Sequence, residues 1–338
     1  MDCGQESYIV QLDFSAAFDR VSHDGVILKL RSAGVGGCLL SICREFLTDR
    51  RQRVVVDGAS SEWIPIVSGV PQGSVFGPLL FVLYTSEMFD LVENRFFTYA
   101  DDSTLRAVIR RSSDRPTLVV SVNRDLARIH ERCGHWCMLL NPKKSKALVV
   151  SRSRIVYPPH GDLGLAGVPI LSNPSLDILG VRFDCRLTFE SHVLGVVSQV
   201  SQRIGILRIL NGVYADTSVL LRCCYAFILP ILEYCSPVWG SAASSHLRLL
   251  DRQIHAVSRL CPDQIPKPLN HRRCFAGMCM LYKIHSNPKH CLYSALPPAC
   301  QRVRHTRAAA VAHPCELEVP RCRTSQFGRC FLPAHVRM

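Results

Sequence analysis

The alternation of apolar and polar positions divides the chain into a strand-and-helix region followed by a helical one. Residues 8–14, YIVQLDF, are a short, mostly apolar run that predicts a strand with Asp13 at its end. Val26, Ile27 and Leu30 then recur at helical spacing from about residue 24, and Gly34 supplies the stop. A second helix near 39–47 leads into Arg50-Arg51-Gln52-Arg53. Val54-Val55-Val56, the Asp57-Gly58 turn and residues 62–67 predict a hairpin. Residues 68–74, SGVPQGS, form a Gly/Pro loop, and a very apolar helix is expected from there to about Leu91.

Residues 95–100 read as a buried strand and 103–109 as its partner, so Asp101 and Asp102 fall at a hairpin turn. Leu118, Val122, Leu126, Ile129 and Cys133 share one face of a helix expected over 115–139. Residues 141–146, NPKKSK, turn into a strand at 147–150. The Gly/Pro-rich stretch 157–174 reads as a surface loop or loose hairpin, and 177–183, DILGVRF, as the last clear strand. From Phe189 onward, Val193, Val197, Val200, Ile204 and Leu207 mark a helix ending near Gly212; 220–232 and 246–260 predict two more. A boundary near 188 therefore separates an α+β domain, 1–188, from a helical region, 189–261. The tail, 262–338, is rich in Pro, Cys and Arg and shows little periodicity.

Composition narrows the function classes. The chain has 338 residues, 48% of them hydrophobic, enough for a sizeable core. Forty Lys+Arg against 27 Asp+Glu give a net charge of +13, which points to a polyanionic partner. No uninterrupted apolar run reaches the roughly 18 residues a membrane span needs, and the start lacks the basic-then-apolar plan of a signal peptide. The 17 cysteines are scattered, with no C-x-x-C, and read as reduced, mostly buried thiols of an intracellular protein. His130, Cys133, His135 and Cys137 crowd one segment, but on a helix 130, 133 and 137 share a face while 135 turns away. Cys315, Cys322 and Cys330 also lack ligand-pair spacing, so core thiols are the preferred reading over zinc.

Asp101 and Asp102 carry the chemistry. Two adjacent carboxylates on a tight turn repel each other, and a hard divalent cation relieves that repulsion. Aspartate is also simply a good turn residue. The pair gains meaning from Asp13, which neighbouring strands of one antiparallel sheet would bring beside it. Such a cluster suits two Mg²⁺ ions about 4 Å apart, the arrangement used for in-line phosphoryl transfer.

At these residues the chain resembles reverse transcriptases. Residues 12–19, LDFSAAFD, look like motif A; 68–84, SGVPQGSVFGPLLFVLY, like motif B; and 99–102, YADD, like motif C. Residues 141–146 sit where motif D would be, and 179–184, LGVRFD, where motif E would be. The GVPQGS-x-x-GPLLF string is similar to that of non-LTR retrotransposon enzymes, particularly the jockey-like group. Group II intron maturases and telomerase-like proteins share the chemistry but not that string.

The resemblance implies a palm of antiparallel sheet on helices, then an α-helical thumb and the C-terminal tail. It implies an RNA-directed DNA polymerase working on an RNA template, a DNA primer and dNTPs with two Mg²⁺ ions, Mn²⁺ being the alternative. Asp13 and Asp101 would be the main metal ligands, with Asp102 beside them and the Phe14 carbonyl helping. Phe18 would be a steric gate against the 2′-hydroxyl; without the family it reads as a core aromatic. Gln72 and Gly73 would contact the incoming nucleotide. Lys144 or Lys146 would protonate the leaving pyrophosphate, or else the turn is a solvated basic one. Arg203, Arg208, Arg248, Arg252 and Arg259 are the candidate phosphate contacts of the helical region. Neither membrane association nor a protein partner is read from the sequence, and nuclear action is what the family implies.

The family carries a basic fingers region ahead of motif A, whereas only twelve residues precede Asp13 here. The stretch 331–338 also looks cut from a longer tail. Electrostatic positioning of the triphosphate supplies much of such a rate. A palm without fingers is therefore expected to be a poor polymerase, and the alternative reading is an inactive remnant that at most binds nucleic acid.

Overall fold

The computed structural model describes residues 5–109, 114–151, 163–213, 216–260, 267–299 and 317–336. The expected features at 157–162, and Cys315 in the tail, lie outside the described residues. Contacts divide the chain into two compact units that meet in sequence between Leu179 and Gly180.

The first unit is built on a five-stranded sheet. Its strand order is Leu171–Ser172, Lys146–Val150, Glu6–Leu12, Asp102–Ile109 and Arg95–Tyr99. All neighbours are antiparallel except the first pair. Period-two alternation puts Tyr8, Val10 and Leu12 of the central strand on one face with Leu105, Ala107, Ile109 and Ala147. That face packs into one core with helices His23–Ser32, Phe76–Thr85 and Arg115–His135. Val122, Leu126, Ile129 and Cys133 form the buried stripe of the longest of these, as the helical spacing predicts. The architecture is the expected α+β palm; the sheet's other face is exposed on its outer strand and at Arg106, but covered at Leu148, 0% exposed, and at Gln11, whose Nε2 donates to the Asp177 carbonyl.

Several local expectations change. The Arg95–Tyr99 strand is not buried; it is the exposed outer edge of the sheet, with Phe97 49% and Tyr99 69% exposed. The helix expected to reach Leu91 ends at Thr85, where Thr85 Oγ1 and Ser86 Oγ donate to the carbonyls of Phe81 and Leu83. Side chains that bond back to the backbone in this way compete with helix continuation. The single strand expected over 177–183 is two, Ser175–Ile178 and Val181–Asp184, because Leu179 and Gly180 both take positive φ. Only three of the thirteen described cysteines, Cys43, Cys133 and Cys224, are buried, so the thiols are not mostly core residues.

The second unit begins at Gly180 rather than near 188. Phe183 meets Phe189 edge-on with ring centroids 5.5 Å apart, and Val181 joins Phe189 and Val193 in one core, so this strand belongs with the helices after it. Helix Glu190–Val213 buries Val193, Val196, Val200, Ile204 and Leu207. By length and composition alone it would pass as a membrane span, with hydropathy 1.3. Its apolar stripe is part of this unit's core, with Leu220, Trp239, Leu250 and Ile254. The helix expected over 220–232 is interrupted by a π-helical segment, Cys224–Ile228, ahead of Pro230, which has no N–H to continue the ladder. The region read as an aperiodic tail contains a 17-residue helix, Leu269–His285, tied in by the Arg272–Glu233 ion pair and by Leu269 in the core.

Candidate active site

Asp13 follows the last residue of the central strand and is held from one side by the turn at 141–146. The Asn141 N–H donates to the Asp13 carbonyl at 2.7 Å, and the Ser15 N–H donates to the Leu139 carbonyl at 2.8 Å. These two bonds flank Phe14 and Leu140, which face each other as a non-hydrogen-bonded pair. The Phe14 carbonyl is therefore not consumed by that ladder and points to the strand's other edge, where Asp102–Ile109 runs. Ser145, 2% exposed, completes the clasp. Its hydroxyl donates to the Asn141 carbonyl at 2.9 Å and accepts the Asp13 N–H at 3.3 Å. Ser145 and Asn141 were given no role by the sequence. Their only signal is that both residue types favour turns.

Asp101 and Asp102 stand on the adjacent hairpin. Tyr99 pairs with Asp102, leaving a two-residue turn of Ala100 and Asp101. Ala100 has φ +52, the left-handed sign that a tight hairpin's first turn position needs and that glycine usually supplies. Leu12 pairs with Ser103, so one step further along the ladder Asp13 comes level with Asp102. Asp102, Thr104 and Arg106 alternate away from the buried residues and share the sheet's other face with Gln11 and Asp13. The Asp102 carboxyl is pushed above the ordinary carboxylate range, first by partial burial, then by the negative charges of Asp101 and Asp13. Asp101 and Asp13 are thus both near enough to bear on Asp102.

A second cluster joins Phe18 to the SGVPQGS loop. Phe18 opens a short 3₁₀ turn, Phe18–Arg20, and its half-buried ring stacks on Phe81 at 4.4 Å. The Val70 N–H donates to the Phe18 carbonyl at 2.9 Å, the Gly69 N–H to Val21 at 2.8 Å, and the Ser68 hydroxyl to Asp19 at 2.9 Å. Gly69, at φ +89, comes so near that a Cβ would lie 2.8 Å from the Asp19 Cα. Gln72 is exposed and donates from Nε2 to Asp19 Oδ1 at 3.1 Å, with Gly73 next to it at φ +82. Asp19 and Gly69 are the organising residues here, and the sequence reading named neither as part of a site.

Lys144 is exposed within the turn that clasps Asp13, and Lys146 pairs with Gln11, two residues before Asp13. Arg203, Arg208, Arg248, Arg252 and Arg259 belong to the second unit, all exposed. Arg203 donates one Nη1 hydrogen bond to the Phe227 carbonyl at 2.7 Å, inside the π segment, so part of its guanidinium serves the fold. Arg248, Arg252 and Arg259 align at helical spacing along and just past Ser244–Ser258.

Among the described residues no three His, Cys, Asp or Glu side chains form a ready-made metal cage. The arrangement suits Mg²⁺ nonetheless. That ion is commonly held by one or two carboxylates and completed by substrate phosphates and water. The mutual repulsion on Asp102 is the charge such an ion would neutralise. A cavity of about 610 Å³ lies elsewhere in this unit, against Tyr84, Arg132 and Trp136. The carboxylates sit instead on an open surface, which a polymeric substrate can reach.

Comparisons with known proteins agree with this geometry. Residues 2–183 match the family described as Reverse transcriptase (RNA-dependent DNA polymerase). The chain is 32% identical over 248 residues to the RNA-directed DNA polymerase from mobile element jockey of Drosophila melanogaster, covering 70% of this chain and 26% of that protein. Its counterpart in Drosophila funebris is 29% identical, with the same coverage. The chain thus spans about a quarter of the length of these relatives. A solved telomerase from Candida albicans aligns with 83% of this chain and 43% of its own at 15% identity and a TM-score of 0.39, too low to carry an argument.

Proposed function

This chain belongs to the reverse transcriptase family, and on that premise we propose that it is the palm-bearing part of an RNA-directed DNA polymerase of a jockey-like mobile element. In this reading it adds dNTPs to the 3′-hydroxyl of a DNA primer on an RNA template. One observation carries the proposal: the charges of Asp101 and Asp13 both bear on Asp102 at the open end of two paired strands.

Asp13 and Asp101, with the Phe14 carbonyl, would hold the divalent ions, and Asp102 adds negative charge beside them. When bound, such ions lower the pKa of the attacking hydroxyl and offset the charge of the triphosphate. The chain's own groups position and protonate. The clasp of Asn141 and Ser145 fixes the Asp13 backbone, so its carboxylate keeps one geometry through the reaction. Phe18, braced by Phe81, would lie under the sugar and leave no room for a 2′-hydroxyl. Gln72 and Gly73, tied to the same turn through Asp19, would lie against the incoming nucleotide. Lys144, in the clasp, or Lys146 would give a proton to the departing pyrophosphate. The exposed arginines of the helical region, as a thumb, would neutralise phosphates.

The test is extension of a DNA primer on an RNA template with Mg²⁺ and dNTPs. Wild type should extend, while Asp13→Asn and Asp101→Asn should bind the template-primer and not extend it. Binding without extension by folded wild type would overturn the proposal in favour of an inactive remnant.

A further inference from the structure

Arg95 and Arg106 stand directly opposite each other across the two outer strands of the sheet. Like charges so placed weaken a strand pair. Neither guanidinium is ion-paired with a described residue. Both are exposed, and the pairing puts them on the face that carries Asp102. Phe97 and Tyr99 continue the same row of the edge strand toward the carboxylates. This exposed surface therefore offers two cations without an ion-pair partner among the described residues, suited to a nucleic-acid phosphate, followed by two uncovered rings.

The spacing locates the contact. Four residues separate Asp102 from Arg106, about 13 Å at a strand's rise of roughly 3.3 Å per residue. At about 3.4 Å per nucleotide along a helix axis, that is about four nucleotides. We propose that Arg95 and Arg106 clamp a backbone phosphate of the template-primer duplex about four nucleotides behind the primer's 3′ end, with Phe97 and Tyr99 as the surface beneath the intervening residues. This site rests on the polymerase reading for its ligand and for the direction in which the duplex leaves.

The experiment measures binding by fluorescence anisotropy, with extension followed separately. Duplexes carry a single uncharged methylphosphonate at each position from −1 to −8 in either strand. Wild type should lose affinity when the phosphate at −3 to −5 is neutralised, and the Arg95→Gln/Arg106→Gln variant should be indifferent there. With that one phosphate contact gone, the variant's affinity should fall about three- to fourfold less than wild type's between 50 and 200 mM salt. Arg106→Glu separates binding from folding. It creates a cross-strand ion pair with Arg95, so the melting temperature should hold or rise while duplex affinity falls. A −3 to −5 sensitivity that is absent in wild type, or persists in the double variant, would overturn the clamp, as would unchanged binding by Arg106→Glu. A protein that shows the positional sensitivity but never extends the primer would keep the clamp and lose the polymerase.

Discussion

Replacing Ser145 with alanine removes one oxygen from a buried position, 2% exposed. That oxygen donates to the Asn141 carbonyl at 2.9 Å and accepts the Asp13 N–H at 3.3 Å. A neutral hydrogen bond contributes about 0.5–1.5 kcal/mol net, the longer one lying at the low end. Asp13 is only half-buried, so water can partly replace the lost acceptor for its N–H. The two losses sum to about 2 kcal/mol, or roughly a 30-fold rise in local opening. Amide hydrogen exchange at Asp13 and Asn141 is the assay, because the Asn141 N–H to Asp13 carbonyl bond opens with the clasp. Both amides should exchange about 30-fold faster in Ser145→Ala, while the amide of Leu126 on the far helix stays at wild-type rates. Primer extension should fall by roughly 10- to 100-fold, the usual consequence of about 1 Å of misplacement at a reacting group. Exchange within twofold of wild type, with extension intact, would refute the idea that this hydroxyl positions Asp13.

Asp102→Asn should stabilise the fold while impairing extension. The folded-state pKa of Asp102 is raised, so its charged form costs stability above that pKa, and the cost disappears below the unfolded value of about 3.9. The variant's melting temperature should therefore exceed wild type's near pH 7 and converge with it by about pH 3; an equal difference at both pH values would contradict this. Gly69→Ala places a Cβ against the Asp19 backbone at φ +89, so the loop bearing Gln72 should lift from Phe18. A destabilisation of about 2 kcal/mol or more, with a raised KM for dNTPs, is expected; unchanged KM would detach that loop from nucleotide binding. Phe18→Val keeps an apolar side chain against Phe81 but shortens it, and preference for dNTPs over rNTPs should drop by roughly tenfold or more. Unchanged selectivity would leave Phe18 as a core aromatic alone.

What could be read from the sequence was local. Alternation over 8–14 and 95–109 is enough to place Asp13 at a strand end and Asp101 and Asp102 at a hairpin. Edge position was not readable, because the run RFFTY looks the same whether a second layer covers it or not. The Ser145 clasp joins residues 132 positions apart, and no short-range pattern announces such a bond. The Leu269–His285 helix escaped notice because its buried stripe passes through Gly277, against which His335 packs, so the apolar period is broken at a contact position. Arg203 shows what charge alone leaves out. Its charge suggests a phosphate contact, and one of its donors also holds the Phe227 carbonyl of the π segment, a bond no sequence pattern announces.

The most direct measurement is single-nucleotide incorporation: one dNTP opposite a defined RNA template base, under single-turnover conditions with Mg²⁺, by wild type and Asp101→Asn matched for folding and template-primer affinity. The account predicts a template-matched addition by wild type that the variant loses by several orders of magnitude. Equal rates in the two proteins would show that the hairpin carboxylates do not carry the chemistry.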